Sequence, residues 1–284
     1  MSTTSSSGFS VALDTLIGFC AAHPVADTDA PRVLTRLNSG PDAIIDWRER
    51  GVVAVLLDSV TGTNGAIPVE VVGAIGGAMS ATLAADLLTE IDLRMESLNV
   101  KGVELAITEP WEPHQNIARQ RGYVLAYHDC DMVCRDAAWG PDRPIPASAE
   151  WRDAWPEHVE EYIAVLHSGF SDTPGAFIPS ADEVRRYLQQ SGIRARILIE
   201  NGRGIGLLRY TEPRAYINAV VRAGSERGRG IGQLIMDEAR RQLGDKKPMR
   251  LTVVDTNTAA IELYRRCNFV VERRLPVLSR NRPA

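Results

Sequence analysis

Along the second half of the chain the apolar residues change period in a fixed succession. Trp155 to Phe170 and Ser180 to Gln190 repeat them at helical spacing. Ala195 to Glu200 and Ile205 to Tyr210 alternate or run apolar around Asn201-Gly202, a strong hairpin turn, and Ala215 to Arg222 reads as a third strand. From Gly230 to Leu243 the residues Ile231, Leu234, Ile235, Ala239 and Leu243 recur on one helical face, and Gly244 stops the helix. Arg250 to Val254 is the next strand, and Thr256 or Asn257 caps a helix that ends at Cys267. The succession predicts an α/β (α+β) unit with a mixed sheet.

The same ending occurs in the first half. At an offset of 146 residues, Val103 to Ile107 lies over Met249 to Val253, and Gly122-Tyr123-Val124 lies over Asn268-Phe269-Val270. Gly and Asn both tolerate the left-handed backbone that follows a helix, so one turn is made twice. Between Asp136 and Glu150 the segment DAAWGPDRPIPASAE holds three prolines and little periodicity, as a linker does. A duplicated chain with domains at 1–146 and 147–284 follows, and 284 residues are enough for two cores. Residues 1–8, MSTTSSSG, read as a frayed tail.

Composition removes whole classes. With 44% hydrophobic and 24% charged residues, 23 Gly and 16 Pro, the chain is neither disordered nor collagenous nor a coiled coil. No apolar run approaches the ~18 residues that span a bilayer, and the opening is not a secretory signal, so a cytoplasmic protein without a membrane partner is expected. The net charge of −4 argues against a nucleic-acid partner, yet it is uneven. Residues 1–146 carry 10 Lys+Arg against 19 Asp+Glu, and residues 147–284 carry 22 against 17, so the second half suits an anionic ligand.

Arg227-Gly228-Arg229-Gly230-Ile231-Gly232 follows a predicted strand and opens a predicted helix. Glycines there let backbone N–H groups converge where the free donors of the first helical turn also point, and that place suits a phosphate. A helix dipole contributes only about 0.3–1 kcal/mol per anion, so direct N–H contacts must dominate, with Arg227 and Arg229 adding charge. The segment lacks the Lys-Ser/Thr ending of a nucleotide P-loop and misses the dinucleotide spacing by one residue.

These residues resemble the GNAT superfamily of N-acetyltransferases. The family's Gln/Arg-x-x-Gly-x-Gly/Ala motif is matched by Arg227, Gly230 and Gly232. Its Asn-x-x-Ala-x-x-Leu-Tyr pattern, followed by Gly-Phe, is matched by Asn257, Ala260, Leu263, Tyr264 and Phe269, with Asn268 where Gly is usual. The resemblance implies two tandem GNAT-like domains, the first degenerate, in an organisation similar to tandem members such as mycothiol synthase. It implies acetyl-CoA as cosubstrate: Val220, Val221 and Arg222 offering backbone groups to the pantetheine arm, residues 227 to 232 wrapping the pyrophosphate, and Asn257 bonding the arm from the other side. Tyr264 would serve as acid to the departing thiolate. The family's frequent Glu base falls at Asn218, which cannot accept a proton. Phe170, Phe177 and Pro174-Gly175 fall where the family receives its acceptor.

Without that Glu, proton accounting narrows the acceptor. A lysine-like amine of pKa about 10.4 is neutral in about one of two to three thousand molecules at pH 7, whereas an α-amine of pKa about 7.7–8.0 is neutral roughly a tenth of the time. A low-pKa amine is expected, with Glu200, Glu212, His167 and Asp255 as candidate bases. The competing reading is a non-catalytic acyl-CoA-binding or interaction module. In the first half Ala118 falls opposite Tyr264 and Trp111 opposite Asn257, and the glycine motif is missing. His128, Cys130 and Cys134 lie on one face of a strand-like run, which favours buried strand residues over metal ligands, and no metal site is expected.

Overall fold

The structure is a computed structural model that describes residues 6–25, 44–57, 60–62, 64–77, 79–170, 176–189, 191–244 and 248–282. It contains helices α1 (Ser6–Ala22), α2 (Ala81–Ser97), α3 (Gln115–Gln120), α4 (Val159–Phe170), α5 (Ala181–Leu188), α6 (Ile231–Leu243) and α7 (Thr258–Arg266). The strands are β1 (Ile44–Trp47), β2 (Val52–Leu56), β3 (Val60–Gly62), β4 (Ala66–Ala74), β5 (Gly102–Ala106), β6 (Val124–Cys134), β7 (Ala149–Asp153), β8 (Phe177–Pro179), β9 (Ile193–Glu200), β10 (Arg203–Thr211), β11 (Tyr216–Arg222), β12 (Met249–Val254) and β13 (Val270–Asn281). Ser6 to Gly8, expected in a frayed tail, begin α1, and residues 1–5 lie outside the described residues. No described helix is long and apolar enough to cross a membrane.

Two compact units are present: Met1–Ala126 with Pro276–Ala284, and Tyr127–Leu275. The cut expected at 146 follows chain order, whereas the contacts divide the chain earlier and assign the end of its last strand, from Pro276, to the first unit. In the first unit β1, β2 and β4 pair antiparallel, β4 and β5 pair parallel, and the end of β13 closes on β5 with Leu278 opposite Leu105. In the second unit the order is β6-β12-β11-β10-β9-β7, and β6 pairs antiparallel with β12, Cys130 opposite Val253. Each unit therefore uses a closing strand encoded in the other half. An alternating strand fits either sheet with the same face inward, so periodicity cannot say which one it joins.

The second unit buries both faces of its sheet. Leu208, Ile217, Leu251 and Cys130 pack with Leu234, Ile235 and Phe269 on the α6–α7 side, while Ile197, Leu207 and Val221 pack with Tyr162, Val165 and Tyr187 on the α4–α5 side. Local signals read from the sequence hold: Asn201 and Gly202 are both left-handed, as the hairpin turn requires, and so are Gly122 and Asn268. The expected linker is tied down. Buried Asp237 of α6 accepts the Trp139 Nε1–H at 3.1 Å and the Arg143 N–H at 2.9 Å, and Arg240 donates to the Trp139 carbonyl at 2.8 Å.

Helix α4 lies close against β11. A Cβ on Gly169 would sit 2.3 Å from Val221 Cγ1 and 2.7 Å from the Arg222 carbonyl oxygen, and the Gly224 N–H donates to Ser168 Oγ at 2.9 Å. Overpacking typically costs about 1–3 kcal/mol, more than the roughly 1 kcal/mol that alanine gains over glycine in a helix. Gly169→Ala is expected to lower the melting temperature by a few degrees, and an unchanged or raised melting temperature would contradict this packing.

Candidate functional site

The site begins where two parallel strands stop pairing. β11 and β12 share Tyr216↔Arg250 and Ile217↔Leu251, then separate, while the opposite edge of β11 continues to pair with β10 through Val220, Val221 and Arg222. From Asn218 onward the edge of β11 that faces β12 is outside any ladder. Its backbone groups are the unfilled hydrogen-bonding capacity that a peptide-like chain can use.

The cleft between the strands has a volume of about 220 Å³ and is lined by Leu166, Phe170, Ile217, Val220, Leu251 and Val253, with Arg209, Asn218, Asn257 and Tyr264 as polar members. Asn257 Oδ1 accepts the Ala260 N–H at 3.2 Å as the cap of α7, which leaves its amide N–H groups for the cleft. Asn218 Oδ1 accepts from Thr211 Oγ1 at 2.8 Å. Tyr264, 7% exposed, is held by Phe269 with ring centroids 6.1 Å apart. Burial pushes its phenol well above the ordinary value, with Cys267 adding to the rise, so the hydroxyl stays protonated and able to donate. Of the other acceptor-side residues, Phe170 lines the cleft and Phe177 opens β8, while Pro174 and Gly175 lie outside the described residues.

Below β11 the chain turns through Gly228 and Gly230, both left-handed at φ 80° and 78°, and Gly230 is the cap residue of α6. Gly232 is in the first turn, where a Cβ would lie 2.9 Å from Leu263 Cδ2, and the Ile231 side chain is buried in the core. Arg222 donates to the Ala223 carbonyl at 3.0 Å, and burial together with the charge of Arg227 depresses its pKa. Two cations therefore crowd the loop. Arg229 is committed to Glu200, at 2.7 and 2.9 Å, and to Glu226, so it braces the loop. A third cation was not legible in the sequence: Arg143, from the proline-rich segment, places Nη1 1.8 Å from where a Cβ on Gly230 would be. A lone arginine between prolines carries no pattern, but buried Asp237, which holds the Arg143 backbone, is a charged residue within the α6 core and could have signalled the tether.

Among the described residues that line the cleft there is no carboxylate and no imidazole. The hydrogen bond from Arg229 holds Glu200 below the usual carboxylate range. Asp255 is held low as well: burial would raise it, but the backbone and ring of His128, both at 3.0 Å, outweigh that. Glu212 lies 4.0 Å from Arg194, and His167 is exposed on α4. Cys130 and Cys134 are buried on the inward face of β6, as their spacing implies.

In the first unit the corresponding edge is filled. β4 pairs with β5 only as far as Val69↔Leu105, and at Gly73 the same edge bridges to Pro24 while the Ala74 N–H donates to the His23 carbonyl at 3.0 Å. Trp111 and Ala118, opposite Asn257 and Tyr264, are each 1% exposed in the core.

Residues 147–269 match the family described as "Acetyltransferase (GNAT) family". Comparison with curated proteins finds no match. Among solved structures, a GCN5-related N-acetyltransferase from Sphaerobacter thermophilus aligns at 16% identity and TM-score 0.63, over 91% of this chain and 87% of that one. A GCN5-related N-acetyltransferase from Kribbella flavida aligns at 15% identity and TM-score 0.58, over 90% and 95%. A tandem GNAT protein from the clavulanic acid biosynthesis pathway, solved without acetyl-CoA, aligns at 12% identity and TM-score 0.60, over 100% and 98%. At these identities the likeness is one of fold, and a tandem GNAT protein is among the structures that share it. The chain carries, at residues 147–269, a domain of the GNAT acetyltransferase family, whose members are acyltransferases.

Proposed function

We propose that the second unit is an acetyl-CoA-dependent N-acetyltransferase acting on a small-molecule or peptide amine, and that the first unit is a degenerate copy without a donor site. The carrying observation is the separation of β11 from β12 after Ile217, directly above a left-handed glycine turn at the start of α6. The free edge from Asn218 to Arg222 suits the amides of a pantetheine arm, and residues 227 to 232 suit a pyrophosphate, with Arg222, Arg227 and Arg143 as the nearby charge. The duplication is read in chain order, 1–146 and 147–284, with the closing strands exchanged between the copies.

Bound acetyl-CoA would supply a thioester carbonyl open to attack by an amine. The chain's own contribution is positional and electrostatic. Asn257 orients the arm with its amide N–H groups, the apolar walls exclude water, and Tyr264 donates a hydrogen bond to the sulfur as negative charge develops there. Complete proton transfer from a phenol near pKa 10 to a thiolate near 8.5 is uphill by about 1.5 units, roughly 2 kcal/mol, and burial of the phenol does not ease it.

Among the described residues no carboxylate lines the cleft, which favours an amine that arrives neutral or loses its proton to water. Release of free CoA thiol across a panel of amines, followed from pH 6 to 10, tests the reading. The rate is expected to rise with pH to a limb set by the pKa of each amine. A limb that stays in the carboxylate range whatever the amine would contradict this reading and point to an enzyme base. Thermal stabilisation by acetyl-CoA without thiol release would favour the non-catalytic acyl-CoA-binding alternative, which the missing Glu at Asn218 supports.

A further inference from the structure

Position 209 breaks the pattern of its strand. Along β10, Leu207 packs on the α4–α5 side and Leu208 on the α6–α7 side, so alternation turns Arg209 toward Tyr162 and Tyr187 on the α4–α5 side. β10 runs on regularly through Arg209, and the register shift beside it falls on β11, where Asn218 is passed over between Ile217 and Ala219. The guanidinium lies 4.6 Å from the centroid of the Tyr187 ring, and the Tyr162 and Tyr187 rings are 6.0 Å apart. Both phenol hydroxyls are buried, with the Arg209 guanidinium as their charged neighbour. Arg209 itself lines the cleft beside Asn218 and Ala219.

A guanidinium taken out of water needs a counter-ion or several acceptors, and a carboxylate matches its planar fork in a bidentate pair. Among the described residues no carboxylate forms an ion pair with Arg209, and the groups it faces are the neutral phenols of Tyr162 and Tyr187. A guanidinium on the cleft wall with no carboxylate of its own has the chemistry of an anion anchor.

Resting on the proposed transferase reading, we propose that the acceptor amine carries a carboxylate close to its nitrogen, as an amino acid does, and that Arg209 binds this carboxylate. The pairing also helps the proton balance, because a free carboxylate beside an amine favours the ammonium form and a guanidinium that neutralises it removes that preference. The amine then attacks the thioester carbonyl, the carbon–sulfur bond breaks, the thiolate leaves as CoA, and the amine proton passes to water. An acceptor with an amide or no group at that position would leave Arg209 uncompensated.

Calorimetry on the full-length protein, with and without CoA, compares the twenty common amino acids with their carboxamides. At least one amino acid is expected to bind at least tenfold more tightly than its own carboxamide. Arg209→Met is expected to weaken that amino acid at least tenfold, Arg209→Lys less, with acetyl-CoA affinity unchanged in both. Equal binding of acid and amide, no binding by any amino acid, or an Arg209→Met variant that keeps wild-type amino-acid affinity would overturn the proposal. The acid-against-amide comparison needs no variant and stands even if Arg209→Met fails to fold. Failure of CoA itself to bind the wild-type protein would count against the donor site and is read separately from the amino-acid arm.

Discussion

Replacing Gly230 with valine is expected to weaken acetyl-CoA binding by about 10- to 100-fold. Gly230 has φ 78° and is the cap residue of α6. A left-handed backbone costs an ordinary residue about 1–2 kcal/mol, and a β-branched one is a clear outlier there. The new side chain would also displace the Arg143 guanidinium, whose Nη1 is 1.8 Å from the Cβ position, although Arg143 is exposed and can swing aside. The larger loss is geometric. If the backbone at 230 leaves the left-handed region, the first N–H groups of α6 no longer converge, and each 1.4 kcal/mol lost is a factor of ten in affinity. Titration calorimetry measures this directly, and an affinity within twofold of wild type would show that the turn is not the phosphate cradle. Gly228→Ala is the milder comparison, since no atom lies within 4 Å of its Cβ position and only the backbone cost at φ 80° remains.

Tyr264→Phe should act on the other half of the chemistry. Removing a hydrogen-bond donor aimed at developing charge in a water-poor site typically costs about 10²-fold in turnover. Tyr264 lines the cleft, and burial keeps its phenol protonated across the working pH range. The variant is expected to lose about 10²-fold in kcat and to keep acetyl-CoA affinity within about twofold, because the phenyl ring still packs on Phe269. Single-turnover measurements ensure that chemistry limits the rate. Full turnover under those conditions would remove Tyr264 from the mechanism.

What could be read in the sequence was local. The Asn201-Gly202 hairpin, the Asn257 cap and the paired left-handed turns at Gly122 and Asn268 depend on a few adjacent residues with particular backbone preferences, and all lie where those preferences require. The glycine loop and Tyr264 were identified because both motifs sit in sequence order along one unit. Features set by distant contacts were not legible. The strand exchange depends on which sheet edge β6 and β13 find, and alternation is blind to that. Arg143 reaches Gly230 only because buried Asp237 ties its backbone to α6. Arg229, expected to add charge for phosphate, is consumed by Glu200 and Glu226, and only the β9–β10 turn brings Glu200 into range. Arg209 lies in a stretch, Ile205 to Tyr210, read from the sequence only as alternating or apolar, and its place became evident with the two tyrosines that α4 and α5 bring to it.

The most direct measurement is the stoichiometry of acetyl-CoA binding to the intact chain and to its Gly230→Val variant. One equivalent per chain, displaced by free CoA and weakened at least tenfold in the variant, is the predicted result. It would place the donor site at the open strand edge of the second unit and leave none in the first, where Pro24 already occupies the equivalent edge at Gly73. No binding, two equivalents, or one equivalent indifferent to Gly230→Val would contradict the account.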